Sequence, residues 1–137
     1  MQVQPYLAFE GRCEEALEFY RTALGAEIVM LMRFKDAPPS AGPGMVTPGT
    51  ENKVMHARLK IGESVILASD GRCTGKTSFQ GITLSLTPTN DSEAQRVFTA
   101  LAKGGQVQMP LNKTFFASSF GMLADRFGVG WMIYVQA

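Results

Sequence analysis

The sequence predicts an α+β fold in which two tandem βαβββ units form a curved, incompletely closed eight-stranded mixed sheet around a cleft. Three observations carry this expectation. The order strand, helix, strand, strand, strand reads twice along the 137 residues. Each helical run ends at a glycine, Gly25 or Gly104. The strands alternate an apolar face with a face of hydroxyls, amides and a few apolar groups. A repeated supersecondary unit outweighs any short motif because it sets the whole architecture. The chain then reads as a single domain, 1–137, made of two units at about 1–70 and 78–137.

The elements follow in order. Pro5 to Phe9 reads as a strand. From Cys13 to Leu24, the residues Ala16, Leu17, Tyr20, Ala23 and Leu24 recur at helical spacing, with Glu14, Glu15, Glu18 and Arg21 off the stripe. Gly25-Ala26 leads into a strand from Glu27 to Phe34. The stretch Lys35 to Asn52 is rich in proline and glycine and too long for a hairpin turn, so a loop able to close the mouth of the cleft is expected. Strands from Lys53 to Ile61 and Ser64 to Ser69 complete the first unit, and Asp70 to Ser78 connects the halves.

The second unit repeats the pattern. Ile82 to Leu86 reads as a strand, and Asn90 or Asp91 is placed to cap a helix running from about Ser92 to Lys103. Ala94, Val97, Phe98, Leu101 and Ala102 form its apolar stripe. Gly104-Gly105 precedes strands at Gln106 to Leu111, Phe115 to Asp125 and Trp131 to Val135. Both glycines sit where a left-handed helix C-cap belongs.

Alternation assigns the faces. Val3, Leu7 and Phe9, then Ile82, Leu84 and Leu86, then Trp131, Ile133 and Val135 form the helix-packing sides. The opposite sides carry Gln, Tyr, Thr, Ser and Met where a solvated face would carry Lys and Glu, which is the lining of a small-molecule pocket. Gln4, Tyr6 and Ser69 of the first unit and Thr83, Ser85, Met132 and Tyr134 of the second are therefore expected pocket residues. Val54, His56, Arg58 and Lys60 share a face of the third strand, and His56 and Arg58 are the cationic or titratable groups placed to reach inside. Arg58 would favour a carboxylate or phosphonate, and protonation of His56 would tighten such binding on acidification.

Composition excludes several classes. With 13 Lys and Arg against 12 Asp and Glu, a net charge of +1 disfavours nucleic acid as a partner. At 45% hydrophobic residues the chain is globular rather than disordered. The longest apolar run, Ile28 to Met32, falls far short of the roughly 20 residues a membrane helix needs. Met1 to Pro5 has no signal-peptide character, so a cytoplasmic location is expected. Cys13 and Cys73 fit neither a disulfide scaffold nor a zinc spacing. One histidine without a carboxylate at fixed spacing, and thiols outside the inferred pocket, assign no catalytic residue. A methyltransferase reading lacks a glycine-rich strand-to-helix turn for a nucleotide-like cofactor.

Several segments together carry a resemblance. They are Pro5-Tyr6-Leu7 through Phe9 and Gly11, Glu15-Ala16-Leu17-Glu18-Phe19-Tyr20, Leu24-Gly25-Ala26-Glu27, His56-Ala57, Ile61-Gly62 and Ser69-Asp70. Further on come Thr114-Phe115, Phe120-Gly121, Asp125-Arg126-Phe127-Gly128-Val129 and Trp131-Met132-Ile133. Nearly end to end, the chain resembles the PhnB-like branch of the vicinal-oxygen-chelate superfamily, which includes glyoxalase I, bleomycin-resistance proteins and extradiol dioxygenases. The branch is often labelled 3-demethylubiquinone 3-methyltransferase-like. The resemblance implies the doubled fold, a homodimer and, in metal-dependent members, His, Glu or Gln ligands on the first and fourth strands of each unit. Those positions carry over to Gln4, Leu67, Gly81 and Tyr134, and Leu67 thereby joins the expected pocket. Leu67 and Gly81 have no ligand atoms, so no metal and no cofactor are expected. The functional expectation is a protein that binds a small polar or anionic organic molecule without metal. The alternative is a metal-dependent glyoxalase- or dioxygenase-type lyase or oxidoreductase.

Overall fold

The apolar stripes of the sequence become the inner faces of two helices. A computed structural model describes residues 1–38 and 47–137. Helix α1 spans Cys13–Leu24 and buries Cys13, Ala16, Leu17, Tyr20 and Ala23. Helix α2 spans Asp91–Ala102 and buries Ala94, Val97, Phe98 and Leu101. The chain divides into two units, Met1–Thr77 and Ser78–Ala137, each with one helix on one sheet.

In the first unit, β1 (Tyr6–Ala8), β2 (Glu27–Arg33), β3 (Val54–Ile61) and β4 (Ser64–Ser69) form a sheet of order β1-β4-β3-β2. β1 runs parallel to β4, and the other pairs are antiparallel. α1 packs on β2 and β3. Leu7, Ala57, Leu59, Ile66 and Ala68 line the helix side and are all buried. Gly25 ends α1 in the left-handed conformation (φ 66°), its N–H donating to the Arg21 carbonyl at 3.1 Å. The N-terminus is held from a distance, because Arg12 supplies no side-chain cap. Asp70 takes over: its Oδ1 accepts from the N–H groups of Gly11 and Cys13 at 3.0 and 2.7 Å, and its Oδ2 accepts from Val54 at 2.7 Å. One buried carboxylate thus ties the start of the helix to the start of β3.

In the second unit, β5 (Thr83–Leu86), β6 (Gln106–Asn112), β7 (Ala117–Ala124) and β8 (Gly130–Gln136) form a sheet of order β5-β8-β7-β6. β5 and β8 are parallel, and α2 packs on β6, β7 and β8. Asn90 is the N-cap, its side chain accepting the Glu93 N–H at 2.8 Å. Here too a carboxylate joins helix to third strand, now from the helix side. Asp91 Oδ1 accepts the hydroxyls of Ser118 and Ser119, each at 2.6 Å, and these bonds lower its carboxyl below the usual range. At the β7–β8 turn, buried Asp125 accepts from the N–H groups of Phe127 and Val129 and from the Trp131 indole.

The two expected units are present, their hydrogen bonding making two open four-stranded sheets. Several details differ from expectation. Val3 is 93% exposed and Ile82 68% exposed, so neither joins the helix side. Both lie before the first paired residue of their strands, where alternation continues but no partner exists. Phe115 also falls outside β7 and is 97% exposed. Gly104 has φ +79° but is not the helix cap, which is Lys103 in an extended conformation. Of the loop Lys35 to Asn52, a short 3-10 turn at Phe34–Asp36 and a turn closed by the Thr50 N–H on the Thr47 carbonyl are described. Its residues 39–46, and with them the expected closure of a cleft, lie outside the described residues. No described helix is long and apolar enough to cross a membrane.

Candidate functional site

Each sheet has one face covered by its helix and one that the helix leaves open, and those expected pocket residues that lie on strands share the open faces. In the first unit the register sets a row. Tyr6 pairs with Leu67, Leu67 with Arg58, and Arg58 with Met30, so these four side chains share one face. The next row holds Ala8 opposite Ser69, and His56 opposite Met32. The Tyr6 and His56 rings lie diagonally across β4 and stack with centroids 5.7 Å apart and planes at 29°. His56 Nδ1 stands 3.5 Å from the Tyr6 hydroxyl, the outer limit of a hydrogen bond.

Arg58 is exposed, and its cross-strand neighbours, Met30 and Leu67, carry no charge. Among the described residues no acid pairs with it. A guanidinium without a carboxylate, beside an aromatic pair that offers a hydroxyl and an imidazole, can receive an anionic oxygen pair. Ser69 is buried, and its Oγ accepts the Gly71 N–H at 3.0 Å. Gln4 precedes β1 and is half-buried.

In the second unit Ser85 pairs with Met132, Met132 with Met122 and Met122 with Met109, a row across all four strands. Thr83 faces Gly130, and Tyr134 faces Phe120. The sequence reading missed Phe116. Its ring stacks on Tyr134 (6.2 Å, 22°) and meets Phe120 edge-on (5.2 Å, 73°). The sequence predicts a strand from Phe115 to Asp125 that includes it, whereas it lies before β7, so only the fold could place it over Tyr134.

Both thiols are held toward the protonated form. Burial raises the Cys13 thiol far above its ordinary range, with Asp70 and Glu14 adding to it, and burial followed by Asp70 also raises Cys73. The residues at the superfamily's ligand positions do not fit a metal. Leu67 and Gly81 offer no donor atom, which leaves the Gln4 carbonyl and the Tyr134 hydroxyl, one in each unit. Among the described residues no group of three or more His, Cys, Asp or Glu could hold an ion.

Comparison with known proteins bears on this geometry. The family model described as 3-demethylubiquinone-9 3-methyltransferase matches residues 1–134. Protein YjdN of Escherichia coli is 39% identical, over 98% of this chain and 95% of its own. The crystal structure of PA1353 from Pseudomonas aeruginosa superposes with a TM-score of 0.85 at 41% identity, covering 99% of this chain and 98% of that one. A PhnB protein from Bacillus cereus follows at 0.79 and 30% identity, with 98% and 99% covered. The fosfomycin resistance protein FosX of Mesorhizobium loti, at 9% identity and a TM-score of 0.61, shares the fold alone.

Proposed function

We propose that this chain, which belongs to the 3-demethylubiquinone-9 3-methyltransferase family, in the PhnB-like branch of the vicinal-oxygen-chelate superfamily, binds a small polar or anionic organic molecule without a bound metal. The ligand sits on the open face of the first unit's sheet. One observation carries the reading. Arg58 stands exposed and without an acidic neighbour among the described residues, in one row with Leu67 and Tyr6, and the Tyr6 ring is fixed against His56. Arg58 supplies paired donors to a carboxylate or phosphonate, while the Tyr6 hydroxyl and His56 orient the remaining polar atoms.

The family description names a methyl transfer, but both strand-to-helix connections here lack the glycine-rich turn that cradles a nucleotide phosphate. Binding accounts for the open face without requiring that chemistry. The protein works in the cytoplasm as a homodimer, and the outer strands β2 and β6, each paired on one side, are edges that a second copy would cover. Sedimentation at micromolar concentration should give twice the chain mass, and the mass of one chain would refute the dimer.

A thermal-shift panel of succinate, methylphosphonate and methanesulfonate on the parent, Arg58→Ala and Arg58→Lys tests the binding reading. At least one anion should stabilise the parent, less so Arg58→Lys and not Arg58→Ala, with the effect shrinking as salt rises. Stabilisation that survives loss of Arg58, or none in the parent, refutes it.

A further inference from the structure

The open face of the second sheet is chemically unlike that of the first. The row Ser85, Met132, Met122 and Met109 is followed by the pair Tyr134 and Phe120, so this face carries thioethers and rings, whereas that of the first unit carries Arg58 and Lys60. No charged side chain of β5, β7 or β8 lies in these rows. Phe116, placed just before β7, lays its ring nearly parallel to Tyr134 while standing edge-on to Phe120. Both Phe120 and Tyr134 are half-buried, and Phe116 remains 40% exposed. Among the described residues the Tyr134 hydroxyl has no hydrogen-bond partner.

We infer that this face binds a planar aromatic or conjugated ring, held against the Phe116–Tyr134–Phe120 corner and the Met122–Met132 thioethers. The inference rests on the reading that the open sheet faces hold a small ligand, and it adds the class of ligand for the second unit. Three features select a ring over an aliphatic chain. Rings set parallel and edge-on present both a π-face and a positive edge, which a flat π-system satisfies and a saturated one does not. Unbranched thioethers adapt to a ring edge and make favourable sulfur–aromatic contacts. A lone phenol hydroxyl in an otherwise uncharged lining gives the single orienting hydrogen bond typical of a small-molecule site.

The test uses neutral probes, so that Arg58 plays no part. Protein labelled with 13C at the methionine methyls is titrated with 2-naphthol and, separately, with its saturated counterpart decahydro-2-naphthol. In the parent, 2-naphthol should shift the Met122 and Met132 methyls saturably through its ring current and bind about two- to tenfold tighter than decahydronaphthol. Phe116→Leu should bring the two affinities together, and Tyr134→Phe should weaken 2-naphthol while leaving decahydronaphthol less affected. Thermal unfolding of each variant shows that the fold is kept. Equal affinities in the parent, or a preference that persists in Phe116→Leu, overturns the inference. No methyl shift, together with Phe116→Ser converting a dimer to a monomer, overturns it by giving the face to a second copy. The ringless anions tested against the first unit report on that reading separately, so either can fail alone.

Discussion

Asp70 Oδ1 accepts the backbone N–H of Cys13 at 2.7 Å across 57 positions of sequence, and so caps a helix that has no local cap. The same carboxylate holds Gly11 and Val54, and every one of these bonds lies within the first unit. The consequences are structural.

Asp70→Ala should destabilise the protein by about 3 kcal/mol or more, since it strands three N–H groups that are otherwise matched by a charged acceptor. Asp70→Asn retains one acceptor oxygen and should cost less than the alanine variant. Urea denaturation measures both, and a loss below about 1 kcal/mol for the alanine variant would show that water replaces the carboxylate at little cost.

Cys13 gives a pH dependence with a definite sign. Its thiol is raised above the ordinary value of 9.0, first by burial and then by Asp70 and Glu14. Above pH 9.0 the unfolded chain loses this proton and the native chain keeps it. Stability is therefore fully present below that pH and falls as pH rises past it, with a limiting slope of about 1.4 kcal/mol per pH unit from this group. Cys13→Ala should flatten the decline. If parent and variant fall in parallel between pH 9 and pH 10.5, the buried thiol is not its source.

Gly25 ends α1 at φ 66°, with no atom within 4 Å of where a Cβ would sit. Gly25→Ala should cost about 1 kcal/mol from backbone strain alone. A neutral result in chemical denaturation would mean that the helix end unwinds to accommodate the side chain.

Much of the architecture was legible because helical periodicity is a strong local signal. The stripe through Ala16, Leu17, Tyr20 and Ala23 marked α1 and its buried face together. Strand ends were less legible. Val3 and Ile82 continue an apolar alternation, but a strand exists only where a neighbour supplies hydrogen bonds, and β1 finds three such residues on β4. Alternation gives Tyr6 one face of its strand and His56 and Arg58 one face of theirs, the resemblance adds Leu67, and register sets Tyr6, Leu67 and Arg58 in one row because alternation and pairing obey the same period of two. Two features stayed hidden for want of any local mark. Asp70 looked like a loop acid at the end of a strand, although the missing cap at Arg12 hinted that a donor set needed filling. Phe116 gained its place through contact with Phe120 and with Tyr134, the latter 18 positions away by sequence number.

The central claim is that Tyr6, His56 and Arg58 form one anion-binding surface, and side-chain NMR tests it most directly. Protein labelled at its arginine and histidine side chains would be titrated with methylphosphonate at low ionic strength. The account predicts that the Arg58 guanidinium and His56 ring signals move together, saturably and with one dissociation constant, and that Tyr6→Phe weakens both. Independent, non-saturating shifts at Arg58 and His56, or shifts spread equally over all arginines up to millimolar ligand, would contradict it.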